Sequence, residues 1–282
     1  MKFLVGLSVL AISAASFGAA NSSINDLQYL PNAGTAYGIT NAGYVKSSFA
    51  DGVSTSRTTG YQIDQTVGYA VLNNLSVQAN VNYASSEEKE RGVATTESKG
   101  ISDPTIGARY RLIDADNRLD ILAAATISLG DAEVKSNGDS DNRLGGHSFD
   151  VGAQYGAKKE NYQWAVSAIF TRNLKATIDD KSAGAKIKDD AHNGLNFAAE
   201  LLTKLGEKCF IKTLGGVGFT ESYDNNANST VSPSTVYRLG AEFQHLLSNN
   251  VFVKAGFENR TFVSNSINVN VPVYYVGANY QF

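Results

Sequence analysis

The chain of 282 residues is rich in glycine (26), tyrosine (14) and phenylalanine (13), poor in proline (4), and carries a formal net charge of −3. This balance favours one large domain of long paired strands, because proline removes a backbone donor from a sheet. The negative charge argues against a nucleic-acid partner, which would need a basic surface, and the single cysteine excludes a disulfide within the chain.

Residues 1–20 have the pattern of a secretory signal peptide. Lys2 provides the charged start, an apolar stretch runs from Phe3 to Ala15, and Ala20 offers a small residue for cleavage. A membrane anchor is the alternative, but the apolar stretch is shorter than the roughly 20 residues that a spanning helix needs. We therefore expect export, then a short, polar and loosely ordered periplasmic segment at residues 21–33, and one domain over residues 34–282.

From residue 75 onward, apolar and polar residues alternate, which is typical of strands with one apolar and one polar face. In the first clear example Leu75, Val77 and Val81 share one face, whereas Gln78 and Asn82 share the other. The same alternation recurs in the segments 118–128, 148–155, 162–171, 237–244, 251–258 and 274–282. Each segment is about ten residues long, which suits a tilted strand that crosses a bilayer.

The connections between these segments are of two kinds. The short ones are 72–74, 114–117, 158–161, 206–208 and 248–250, and the long polar ones are 84–100, 130–146, 174–193 and 221–234. Short turns on one side and long loops on the other are typical of outer-membrane barrels. We predict an all-β fold, a transmembrane antiparallel up-and-down β-barrel of about 12 strands with both termini on the short-turn side. The strands of a soluble β-sandwich also alternate between apolar and polar residues. Here, however, many strands have a polar second face, which favours the water-filled lumen of a barrel.

Charged residues of both signs fall on the polar face, which lines the lumen of a barrel. These candidate lumen-lining residues are Asp64, Asp103, Arg109, Arg111, Arg118, Asp120, Asp150, Glu200, Lys204, Lys212, Arg238, Glu242, Lys254, Glu258 and Arg260. Charges of a single sign would select one type of ion. A balanced set gives either an electric field across the pore or a network of ion pairs that narrows it. A hydrated, paired wall is one interpretation. The other is that Arg109 and Arg111 line a constriction that contacts a solute.

The sequence contains no motif that points to catalysis, to a cofactor or to a metal. His147 and Ser148 are neighbours whose side chains point to opposite faces of a strand, so they cannot work together in a triad. The other histidines, His192 and His245, have no metal-ligand spacing to each other or to Cys209. The acidic loop at 137–142 does not have the spacing of an EF-hand. We therefore predict no enzyme activity, no catalytic or cofactor-binding residues and no metal site.

One segment resembles a known family. The stretch "GISDPTIGARYRL" at 100–112 follows a turn and strand, and it precedes the strand "AAATISLGDAE" at 123–133. This order resembles the bacterial outer-membrane proteins of the MetA-pathway of phenol degradation family, often described as transporters. The residues that fit the family pattern are Gly100, Asp103, Gly107, Arg109, Tyr110, Arg111 and Leu112, whereas Pro104 departs from it. The resemblance implies an outer-membrane barrel that passes small solutes, hydrophobic ones included, and it implies no catalytic residues.

The chain ends in "VPVYYVGANYQF", an alternating stretch without a polar tail. In a barrel the last strand must pair with the first, because an open edge is costly in lipid. Tyr280 and Phe282 resemble the closing signal that barrel-assembly machinery recognises, so we expect deletion of Phe282 to impair membrane assembly.

Two functional hypotheses stand beside each other. In the first, the chain is an outer-membrane channel through which small solutes diffuse passively. In the second, it is a plugged structural or surface-interaction barrel whose long extracellular loops bind a partner. The expected partners are outer-membrane lipid, the barrel-assembly machinery and a small-molecule solute, with the oligomeric state left open.

Overall fold

The computed structural model describes residues 24–50, 55–90, 95–226, 229–265 and 267–282. The predicted signal peptide therefore lies outside the described residues. The strands are β1 (Ala36–Ala50), β2 (Thr55–Leu72), β3 (Leu75–Glu90), β4 (Thr96–Ile101), β5 (Thr105–Asp114), β6 (Asn117–Thr126), β7 (Ala132–Val134), β8 (Ser148–Lys158), β9 (Tyr162–Asn173), β10 (Ala176–Asp180), β11 (Ala185–Asp189), β12 (His192–Lys204), β13 (Cys209–Thr220), β14 (Tyr223–Asn225), β15 (Ser229–Val231), β16 (Ser234–Ser248), β17 (Val251–Ser264) and β18 (Ile267–Gln281). Within these ranges, no helix is long and apolar enough to span a membrane.

Twelve of these strands form one closed antiparallel barrel, as the sequence predicted. Around the wall they follow the order β1, β2, β3, β5, β6, β8, β9, β12, β13, β16, β17 and β18. The last strand closes on the first, with Tyr280 opposite Gly38 and Val273 opposite Val45. Closure pairs the backbone groups that an open sheet would leave exposed at its edges, which is the condition for a sheet to span a bilayer.

The two faces of the wall differ in polarity. On β3, Val77 and Val81 are exposed on the outer face, whereas Gln78 and Asn82 point inward and are buried. The outer face carries exposed tyrosines side by side, with Tyr44 of β1 opposite a tyrosine on each neighbouring strand. Aromatic residues of this kind mark the interface between lipid and water. An apolar exterior on a closed antiparallel barrel places the protein in the bacterial outer membrane.

The long connections contain more strand than the sequence predicted. β3 continues to Glu90, and β7, β10, β11, β14 and β15 form a five-stranded sheet in the order β15-β14-β11-β10-β7. The ion pairs Lys181–Glu133 (2.7 Å) and Lys186–Asp131 (2.9 Å) join this sheet across its strands. The hydrogen bond from Lys181 lowers the pKa of Glu133. The prediction of plain loops was wrong because strands outside the bilayer meet water on both faces, so their sequence need not alternate.

The wall is interrupted between β4 and β5. Pro104 cannot donate to a sheet ladder, and the chain leaves the strand there. The buried Asp103 carboxylate accepts hydrogen bonds from the backbone N–H groups of Leu129 and Leu144, both at 2.8 Å. Asn142 Nδ2 donates to the carbonyl of Ala84 at 2.6 Å. The segment around residues 139–144 therefore covers the interruption, and Asp103 serves as its anchor.

Candidate functional site: the barrel lumen

Charged side chains from four neighbouring strands form a belt on the lumen wall. Lys212 Nζ lies 3.4 Å from Glu200 Oε1 and 3.8 Å from Glu242 Oε1. Lys254 Nζ lies 3.9 Å from Glu242 Oε2. We call these residues of β12, β13, β16 and β17 the lumen belt. Each lysine of the belt therefore pairs with at least one glutamate on a neighbouring strand.

A second row of charges lies beside the belt on β16 and β17. Arg238 is in register with Arg260, and Arg260 Nε lies 2.7 Å from Glu258 Oε1. The carboxylates of Glu258 and Glu200 act electrostatically on Arg238.

Two carboxylates elsewhere on the wall accept hydrogen bonds from neutral side chains. Asp64 on β2 accepts hydrogen bonds from Gln62 Nε2 (3.0 Å) and Asn82 Nδ2 (2.7 Å). Asp150 on β8 accepts one from Thr171 Oγ1 at 2.6 Å. Lys254 and Arg260 of β17 also act electrostatically on Asp64, so this carboxylate shares the charged interior with the lumen belt.

Part of the inward face is apolar, which the sequence reasoning missed. Val45, Val269, Val271 and Val273 form a buried cluster on β1 and β18, and Phe262 packs against it. Val271 is in register with Arg260, so the apolar patch adjoins the charged row. The alternation in "NVNVPVYY" has apolar residues on both faces around Pro272, and it could have indicated this patch.

Arg109 and Arg111 belong to a buried charge cluster at the short-turn end of the barrel. The guanidinium of Arg111 binds Asp120 with two hydrogen bonds, from Nε at 2.7 Å and from Nη2 at 3.0 Å. Arg109 Nη1 lies 3.3 Å from Asp120 Oδ2, and its Nη2 donates to Gln154 Oε1 at 2.6 Å. Arg109 is 1% exposed, Arg111 is 3% exposed and Asp120 is 0% exposed. They therefore pack inside the barrel base, and their side chains do not face open lumen.

The remaining predicted charges lie at the rim. Arg118 Nε lies 3.5 Å from Asp114 Oδ1 beside the turn that follows β5. Lys204 is exposed at the end of β12. Neither borders the lumen belt.

The N-terminal segment fills the short-turn end of the barrel. Residues 24–30 are all at most 7% exposed, whereas the sequence predicted a loosely ordered lead. We call these residues the plug. Its backbone is held by the wall, because Arg111 Nη2 donates to the carbonyl of Gln28 at 2.9 Å and Leu27 N donates to Gln163 Oε1 at 3.0 Å. At its far end, Tyr29 Oη donates to Gln281 Oε1 at 2.7 Å.

Apolar contacts hold the plug as well. Leu27 packs in a cluster with Ala165 and Leu202 on β9 and β12, with Phe210 of β13 against it. On the other side, Ile24 and Tyr29 pack with Tyr37 and Phe252, with Leu246 against them. The plug thus contacts strands on opposite parts of the wall and crosses the lumen between them. The apolar residues Ile24, Leu27 and Leu30 in an otherwise polar lead were the available signal for this packing.

The C-terminal residue lies on the outer surface of the closed barrel. Phe282 is 79% exposed, its N–H donates to the carbonyl of Ala36 at 2.9 Å, and its ring lies 5.4 Å from that of Tyr280. Within the described ranges, no group of three or more His, Cys, Asp and Glu side chains is arranged to hold a metal ion.

Comparison with solved structures shows the same fold in other outer-membrane proteins. The COG4313 outer membrane channel from Pseudomonas putida F1 superposes with a TM-score of 0.65 at 12% identity, over 90% of this chain and 97% of that one. The translocator domain of the autotransporter NalP from Neisseria meningitidis gives 0.55 at 13% identity, over 89% and 90%. The NanC porin gives 0.53 at 8% identity, over 86% and 98%.

Sequence comparison identifies the family. No curated protein is similar enough in sequence to match the chain. The family model described as "Putative MetA-pathway of phenol degradation" matches residues 32–270, which is more than half of the chain. This range spans most of the barrel, from the approach to β1 into β18. The chain therefore belongs to the MetA-pathway of phenol degradation family.

Proposed function

We propose that this protein is an outer-membrane channel through which small solutes diffuse passively. The observation that carries the proposal is the lumen belt, a set of charged side chains turned into the interior of a closed, lipid-facing wall. Charged groups inside a membrane protein are costly and mark ion and substrate pathways. A barrel of twelve strands has a narrower lumen than one of ~16 strands, so only small solutes would fit.

The solute would combine apolar and polar parts. The patch of Val45, Val269, Val271 and Val273 adjoins the charged row that contains Arg260, so apolar and charged surfaces meet on one wall. The family description, which concerns phenol degradation, supports a small and partly apolar molecule. Passage of such a molecule needs no catalytic group, in line with the prediction of a protein that is not an enzyme.

The reversal potential across a planar bilayer tests whether ions pass the lumen belt. Replacing Lys254 with Glu reverses one of the two belt cations, so we expect the reversal potential in a salt gradient to shift toward cation selectivity. Lys46→Glu is the matched control, because Lys46 is exposed on the outer face of β1 and should leave the reversal potential unchanged. An identical reversal potential in Lys254→Glu and wild-type protein would count against the channel.

A second candidate function is a plugged barrel that acts through its extracellular surface. The plug at one end and the five-stranded sheet at the other favour this alternative. It differs from the channel in one result, because a purely structural barrel would pass no solute. In either case we propose that the exterior binds outer-membrane lipid, and that the assembly machinery recognises the aromatic pair Tyr280 and Phe282.

A further inference from the structure

The plug presents a carboxylate and an aliphatic side chain side by side to the wall. Asp26 Oδ2 accepts a hydrogen bond from Lys158 Nζ at 2.7 Å, and Asp26 Oδ1 accepts one from Gln163 Nε2 at 2.5 Å. The next residue, Leu27, buries its side chain against Ala165 and Leu202. The wall therefore holds both oxygens of one carboxylate and, directly beside them, a hydrocarbon group.

The wall residues of this site come from three consecutive strands. Lys158 of β8 is in register with Gln163 of β9, and Gln163 is in register with Leu202 of β12. Neighbouring strands lie about 4.8 Å apart, so the polar side chains of Lys158 and Gln163 lie next to the apolar side chains of Ala165 and Leu202. With the plug docked, Gln163, Ala165 and Leu202 are 8%, 1% and 1% exposed, so the plug covers this part of the inner wall.

We propose that this wall site binds small apolar carboxylates that reach the lumen, and that Asp26 and Leu27 of the plug are its built-in occupant. The ligand carboxylate takes the place of Asp26 on Lys158 and Gln163, and its hydrocarbon part takes the place of the Leu27 side chain. Binding of the ligand and docking of the plug exclude each other, so the ligand shifts the plug toward release. The proposal rests on the channel function. It names the class of solute, and it makes binding of that solute the event that releases the plug from the lumen.

Thiol labelling of the plug tests the site without using conductance. Leu27→Cys in a Cys209→Ser background places the sole cysteine at a buried plug position, where a membrane-impermeant maleimide should react slowly in the refolded full-length barrel. Hexanoate, at constant ionic strength, is expected to raise the labelling rate severalfold. Hexanol and hexylamine have the same chain without the carboxylate, and they should leave the rate unchanged.

Substitutions in the wall test whether the response of the labelling rate to hexanoate depends on the proposed site. Lys158→Met should abolish the response to hexanoate, because an ammonium donor to the carboxylate is lost. Lys159→Met is the matched control and should keep the response, since Lys159 lies in the exposed turn near Asp116 at 3.7 Å. Heat-modifiable migration on a gel confirms that each variant is folded. Leu30→Cys, at a fully buried position of the same plug, provides a second reporter.

The possible results of the labelling experiment distinguish failure of the proposed wall site from failure of the channel function. A labelling rate that hexanoate does not change at either reporter position overturns the site, and so does an equal response to hexanol or a response that survives Lys158→Met. Labelling that responds to hexanoate in a protein that conducts nothing would uphold the site and overturn the channel.

Discussion

Deletion of residues 24–30 from the mature protein is expected to raise its single-channel conductance severalfold in planar bilayers. The plug crosses the lumen, contacts strands on both sides, and is at most 7% exposed along its length. In wild-type protein it therefore obstructs a path through the short-turn end of the barrel. The barrel wall is complete without it, because β1 pairs with β18 from residue 37 onward.

The control for this deletion is Asn32→Ala. Asn32 is exposed and lies just after the plug, so its side chain takes no part in the plug contacts. We expect wild-type conductance from this variant. Equal conductance in the deletion and in wild-type protein, with both shown to be folded, would contradict the assignment of residues 24–30 as the barrier.

Replacement of Asp120 by Ala is expected to lower the free energy of unfolding by ~3–5 kcal/mol, the usual cost of removing one partner from a buried ion pair. Asp120 is 0% exposed and lies within 3.3 Å of both Arg109 and Arg111. Without it, two buried guanidinium groups lose their shared carboxylate, and removing one partner from a buried charge cluster costs more than losing a surface contact. Fluorescence of the only tryptophan, Trp164, reports unfolding in urea.

Asp116→Ala is the matched control for the stability measurement. The Asp116 side chain is 90% exposed and lies 3.7 Å from the ammonium of Lys159. Exposed pairs of this kind contribute about 0–1 kcal/mol, so the unfolding curve should barely move. If the two variants had equal unfolding free energies, the Arg109–Asp120–Arg111 cluster would not be a source of stability.

The barrel itself could be predicted from the sequence because every second side chain of a strand points to the same face of the sheet. The alternation of Val77, Gln78, Val81 and Asn82 predicts which side faces lipid without any knowledge of neighbouring strands. The cost of an open sheet edge in lipid predicted that the last strand pairs with the first. The added strands near residues 90, 132 and 185 were missed, since outside the bilayer no apolar face is required.

The arrangement of charges could be predicted only in part. Periodicity turns Arg109 and Arg111 inward, but their pairing with Asp120 depends on the register between β5 and β6, which no local pattern specifies. Asp103 was expected in the lumen and instead anchors a loop, because Pro104 interrupts the strand. The plug has no regular secondary structure, so only its contacts with distant strands reveal it.

The claim that the lumen is a path for small solutes is tested most directly by swelling of liposomes that contain the refolded protein. The channel predicts influx of small solutes through wild-type protein, faster influx after deletion of residues 24–30, and a steep fall in rate as solute size increases. Swelling no faster than in protein-free liposomes, for wild-type and plug-deleted protein alike, would contradict it.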